Sequence, residues 1–152
     1  ETSANQAIAL TEYFLAHYNI DSSKVYLHGY SGGGETGSLV MEKRPDLFTA
    51  FLCCATQWDG EMNNLVRVKT PVYMVVGESD SYYGSKPLKD AYAKLYDLYK
   101  VEGYSEKEIE KFLVLDIKTQ KYFTDRGFTD QHAGGQTFAK DKDIMGWLFG
   151  EH

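Results

Sequence analysis

A chain of 152 residues with 43% hydrophobic content has enough apolar material for one packed core. Its net charge of -6, with no basic stripe carrying interleaved aromatics, argues against a nucleic-acid partner. The longest apolar runs, such as Phe51 to Ala55 and Val72 to Val76, are far too short for a bilayer span, and no leader, anchor, repeat or low-complexity linker is visible, which leaves the compartment open.

The first expected element is an amphipathic helix over 3–18, followed by the polar, turn-like Asp21-Ser22-Ser23-Lys24. Val25-Tyr26-Leu27 is short and β-favouring, and predicts a buried parallel strand over 25–28. Gly29-Tyr30-Ser31-Gly32-Gly33 follows at once and matches the G-x-S-x-G nucleophile elbow, in which a serine sits on a sharp strand-to-helix turn. Small neighbours are required there because side chains would collide with the turn, a need that Gly29 and Gly33 are expected to meet. A phosphate-cradling reading of Gly32-Gly33-Gly34 lacks the lysine followed by serine or threonine that a P-loop uses. Helix formers run over 34–43 until Arg44-Pro45-Asp46 stops them, since proline lacks a donor and restricts its predecessor.

Strands are expected next over 49–55 and 71–76. Cys53 and Cys54 are adjacent in the first of these, so their side chains point to opposite sheet faces and packing, not a disulfide, is the expected role. No zinc-type pairing of His and Cys occurs, and neither a metal nor a cofactor is expected. Helices follow over 86–101 and 105–111, the second opened by a capping box between Ser105 and Glu108. A last strand over 113–118 leads into the aromatic segment Thr119 to Gln131, which is either an active-site wall or a packed loop. A closing helix over 137–149 completes the pattern. Strands alternating with helices call for right-handed crossovers and a parallel sheet covered on both faces, an α/β three-layer sandwich.

A serine hydroxyl is a poor nucleophile until a base takes its proton, so Ser31 needs a histidine and a group to orient it. Of the four histidines, His152 is terminal, His17 lies on the first helix, and His28 precedes the elbow too closely to swing onto Ser31. His132 lies in a polar, glycine-rich loop from which it can reach across the sheet ends. Asp80, one short loop beyond the third strand, is the favoured acid over Glu78 and Asp130, because the order Ser31, Asp80, His132 is that of an α/β-hydrolase triad. The backbone N–H of Gly32, at the start of a helix, is the expected oxyanion donor. Tyr30, Trp58, Tyr82 and Tyr83 are candidate substrate contacts near the strand ends, although with twelve tyrosines in the chain a few near any site are expected by chance.

Val25 to Gly34, Lys43-Arg44-Pro45-Asp46-Leu47-Phe48 before a strand, and Gly77-Glu78-Ser79-Asp80 together resemble the α/β-hydrolase superfamily, in its prolyl-oligopeptidase-like and carboxylesterase-like branch. Asp80 to Ser85, Gln131 to Gly135 and Ile144 to Phe149 are similar to one bacterial subgroup of that branch. The resemblance implies a serine hydrolase acting through an acyl-enzyme, with Ser31, Asp80 and His132 in the matching places. It implies no particular substrate, since this fold hosts many. A carboxylic ester is expected first, because esters carry better leaving groups than amides; a peptidase, or a silent binding or assembly module, is the alternative. The family's sheet usually has about eight strands with the elbow after the fifth. Residues 1–152 are therefore expected to be the C-terminal segment of one catalytic domain. The second oxyanion donor would then lie outside the segment, and the strand near 25–28 would leave an edge open to self-association.

Overall fold

Four strands form one parallel sheet in the order β1 (Tyr26–Tyr30), β2 (Ala50–Cys54), β3 (Val72–Gly77) and β4 (Leu113–Lys118). In this computed structural model, which describes residues 1–152, the register places Leu27 opposite Phe51, Phe51 opposite Val72, and Val72 opposite Leu113. Parallel neighbours need crossovers, and helices supply them. The chain runs α1 (Thr2–His17) before β1, α2 (Gly32–Lys43) between β1 and β2, and α3 (Asn63–Val68) between β2 and β3. Next, α4 (Lys86–Val101) and α5 (Glu106–Phe112) join β3 to β4, and α6 (Gln120–Thr124), α7 (Gln131–Gly134) and α8 (Lys142–Phe149) follow.

The two sheet faces carry separate cores. Phe51, Cys53, Met74 and Val76 pack with Val40, Met41, Leu88 and Leu95 from α2 and α4, while Leu52, Cys54 and Val75 pack with Phe123, Phe138, Ile144 and Leu148 on the other side. Strand β2 is buried at all five positions, as a parallel strand covered on both faces must be. The period-two alternation sends Cys53 and Cys54 to opposite cores, both as free thiols whose ionisation burial pushes up. The architecture is thus the expected α/β three-layer sandwich.

The differences from the sequence reading are local. Short helices α3, α6 and α7 arise in stretches without helical periodicity, and α2 begins at Gly32, immediately after the serine. The closing helix is broken. A 3₁₀ segment, Gly135–Lys140, precedes α8, because the Asp141 carboxylate accepts from the N–H groups of Asp143 and Ile144 and so caps a new helix start. The capping box of α5 forms as expected, with Glu108 N–H donating to Ser105 Oγ at 3.2 Å and Ser105 N–H donating to Glu108 Oε2 at 2.9 Å. No helix is long and apolar enough to cross a membrane.

Candidate active site

Strand β1 delivers Ser31 into a conformation that its own side chain disfavours. Its φ of 57° and ψ of -125° lie outside the regions open to most L-residues, a cost of about 1–3 kcal/mol that surrounding bonds must hold in place. Those bonds are present. Ser31 N–H donates to the Cys54 carbonyl at 3.0 Å, and the Ser31 carbonyl accepts from Gly34 N–H at 2.9 Å and from the Thr56 hydroxyl at 2.6 Å. A Cβ at Gly29 would stand 2.4 Å from the Gly33 carbonyl oxygen, so only glycine lets the strand turn this closely against α2. Gly33 itself faces open space, which corrects the sequence expectation. The second crowded glycine is Gly34, whose Cβ would meet the Thr56 side chain at 2.4 Å. The rotation of α2 about its axis decides this: Gly33 is exposed and Gly34 buried.

His132 comes from the far side of the sheet on α7, a single helical turn where the sequence suggested a loop. Asp130 caps it, its carboxylate accepting from Ala133 N–H at 3.1 Å. Ser31 Oγ lies 3.0 Å from His132 Nε2, and His132 Nδ1 lies 2.9 Å and 3.1 Å from the two oxygens of Asp80. The Asp80 side chain is wholly buried, and its Oδ1 also accepts from the N–H groups of Tyr82 at 3.0 Å and Tyr83 at 2.8 Å. A carboxylate accepts only, so the proton of a neutral imidazole belongs on Nδ1, leaving Nε2 bare toward the serine hydroxyl. The rivals are occupied elsewhere: exposed Glu78 accepts from Gln120 N–H at 3.3 Å, and Asp130 caps α7.

Two positioning residues escaped the sequence reading. Thr56 ties the loop after β2 to the turn at Ser31, as described. Gln131, buried beside His132, accepts from Ser79 N–H at 2.8 Å and donates to Gln120 Oε1 at 3.1 Å, fastening α7 to the Asp80 loop. A Cβ on Gly77 would meet that glutamine's Oε1 at 2.2 Å. The only available signal was a polar residue next to the histidine, and its partner lies 52 residues away.

The aromatic candidates divide. Tyr30 stacks on His132 with ring centroids 5.5 Å apart and donates its hydroxyl to the His132 carbonyl at 2.6 Å, so it holds α7 instead of presenting a free polar tip. Burial, reinforced by Asp80, raises its phenol pKa. Tyr83 donates to Glu35 Oε1 at 2.7 Å, its ring is 5.7 Å from His132, and burial and then Glu35 raise its pKa. Tyr82 lies 5.4 Å from His132. Trp58 is not part of this group. Its ring packs on Phe51 and its indole N–H donates to the Gly60 carbonyl at 2.9 Å, which makes it a wall of the core beneath α2. Likewise Phe123 is buried against Phe138 under α7, so the segment before His132 supports the histidine from below.

The N–H groups of Gly32 and Gly33 open α2 ahead of its first bonded amides, those of Gly34 and Glu35, which donate to the Ser31 carbonyl. A helix start of this kind favours negative charge beside Ser31 Oγ. A groove of about 1020 Å³ near Lys24, Thr49, Lys69 and Tyr104 lies at the amino ends of the strands, away from these residues. Ligands of open α/β sheets gather at the carboxyl ends, where the converging side chains stand.

A parallel sheet clothed by helices on both faces, turning directly from β1 into α2 at Ser31, defines an α/β-hydrolase fold. The chain belongs to the prolyl oligopeptidase family, a family of hydrolases whose profile matches residues 1–89. Among solved structures it is similar to a thermostable esterase, with a TM-score of 0.74 and 22% identity over 98% of this chain and 36% of that one. It is also similar to oligopeptidase B from Trypanosoma brucei in its closed form with covalently bound antipain, with a TM-score of 0.57 and 14% identity over 92% of this chain and 23% of that one. The chain therefore spans little more than a third of the esterase and under a quarter of the oligopeptidase. No curated protein matches it.

Proposed function

We propose that the chain carries the catalytic residues of a serine hydrolase that cleaves carboxylic esters. The observation that carries this reading is the line of contacts from Ser31 Oγ through His132 to the buried Asp80. His132 Nε2 takes the Ser31 proton as Oγ attacks the ester carbonyl carbon, and Asp80 holds the ring and steadies its charge once it is an imidazolium. Gly32 N–H stabilises the oxyanion of the tetrahedral intermediate. The imidazolium then protonates the departing alcohol, leaving an acyl-Ser31 ester that water, activated by the same histidine, hydrolyses to the acid.

Peptide cleavage is the second reading, favoured by the family and by the covalent antipain complex of oligopeptidase B. Amides have poorer leaving groups and demand more of the oxyanion site. Residues 1–152 form, in this proposal, the C-terminal segment of a catalytic domain whose further strands pair along β1 and supply a second oxyanion donor. Without such a cover the β1 edge pairs with another copy. Hydrolysis of p-nitrophenyl esters and of matched peptide p-nitroanilides by the full-length protein tests the choice. Ester turnover that exceeds anilide turnover and vanishes in Ser31→Ala supports it; turnover retained in Ser31→Ala overturns it, and faster anilide cleavage moves the assignment to a peptidase.

A further inference from the structure

Tyr82 is the most exposed large aromatic side chain, at 75%, and it stands at the site. Its backbone is fixed: the N–H groups of Tyr82 and Tyr83 both donate to Asp80 Oδ1, and Gly84 N–H donates to the Asp80 carbonyl at 3.0 Å. Its ring is backed as well. It meets the Tyr83 ring edge to face at 4.7 Å and 61°, with His132 at 5.4 Å, while Glu35 pins the Tyr83 hydroxyl. A ring backed by Tyr83 and His132 and otherwise open to solvent gains nothing for the fold from its solvent side. The backbone that carries it, bonded to Asp80, has already lost the freedom that a loose loop would surrender on binding a ligand.

We propose that Tyr82, supported by Tyr83, is a stacking subsite for an aromatic group carried by the ester substrate. The proposal rests on the reading of Ser31 as the nucleophile and adds the substrate class. Aromatic rings meet offset-stacked or edge to face at centroid distances of about 4.5–7 Å, the range in which Tyr82, Tyr83 and His132 already pack, and a further ring extends that cluster outward. The contact is with a π-face, so it distinguishes a planar ring from a saturated one of similar size.

Two matched ester pairs test this with little change in leaving-group chemistry: benzyl against cyclohexylmethyl acetate, and ethyl phenylacetate against ethyl cyclohexylacetate. The full-length protein is expected to favour the aromatic member of at least one pair by about three- to tenfold in kcat/KM. Tyr82→Phe keeps that preference, and Tyr82→Leu brings the ratio close to one. Equal rates for both members in the parent protein, or a preference that survives Tyr82→Leu, overturn the subsite. Fluorophosphonate labelling of Ser31 in the same samples separates this failure from failure of the serine reading. If Ser31 does not label, the subsite is still tested by tyrosine ring-proton shifts on adding benzyl alcohol or phenylacetate. Shifts lost in Tyr82→Leu support it, and none in the parent protein sinks it.

Discussion

The carboxyl ends of the strands and the β1 edge of the same sheet are finished to very different degrees. At the carboxyl ends, Ser31, Asp80 and His132 bond one another, and Thr56, Gln131 and Tyr30 bond the segments that carry them. Along β1 and the neighbouring α1, Leu10, Tyr13, Phe14 and Ile20 stay exposed, and Leu10, Phe14, Leu15, Ile20 and Val25 line a groove of about 330 Å³. The contacts among Ser31, His132 and Asp80 are therefore made inside residues 1–152, whereas the apolar surface along β1 is not covered by them. The contacts at the candidate site and the covering of the sheet edge draw on different parts of this sequence.

Substitutions can break that contrast. The largest effect is expected at the buried carboxylate: Asp80→Asn should lower kcat about 10⁴-fold by leaving His132 in the wrong tautomer, while Glu78→Gln stays within about twofold. Steady-state ester kinetics check the pair, and the reverse ranking would move the acid to Glu78. Next comes the turn from β1 into α2. Gly29→Ala should destabilise the fold by about 2–3 kcal/mol in urea unfolding, because its methyl has only backbone to meet, whereas Gly33→Ala should be neutral or stabilising by up to about 1 kcal/mol. Equal losses would mean that α2 is rotated from the position described. Tyr30→Phe removes one hydrogen bond to the His132 carbonyl, so about 1 kcal/mol is at stake, read as a severalfold fall in kcat with KM unchanged. A change confined to KM would make Tyr30 a substrate contact after all. The smallest effect is at the edge. Leu10→Lys should alter stability by less than about 0.5 kcal/mol while weakening self-association in a light-scattering dilution series. A loss of stability well beyond that would place Leu10 in a core.

What the sequence disclosed follows from the range of the forces involved. The strand-to-helix turn at Ser31 was legible because its glycines mark a tight local backbone, and β2 and β3 were legible because continuous apolar runs have few other places to go. The order of Ser31, Asp80 and His132 suggested a grouping that the fold then brings within hydrogen-bond distance. The roles of Gly33 and Gly34 were not legible, since they depend on how α2 is rotated against Thr56. Helix α7 was hidden because a single turn has no periodicity and forms only with its Asp130 cap and the Gln131 contacts to Ser79 and Gln120. Trp58 misled for a related reason: lying beyond a strand end says nothing about which way a ring turns, and Phe51 and the Gly60 carbonyl turn this one into the core.

Fluorophosphonate labelling followed by peptide mapping tests, independently of any natural substrate, whether Ser31 is a nucleophile activated by His132. The full-length protein should carry the label on Ser31, Ser31→Ala should carry none, and His132→Ala should label at a small fraction of the parent rate because the hydroxyl has lost its base. Label on another residue, no label under conditions that mark a control hydrolase, or full-rate labelling of Ser31 in His132→Ala would show that Ser31 is not a nucleophile activated by His132.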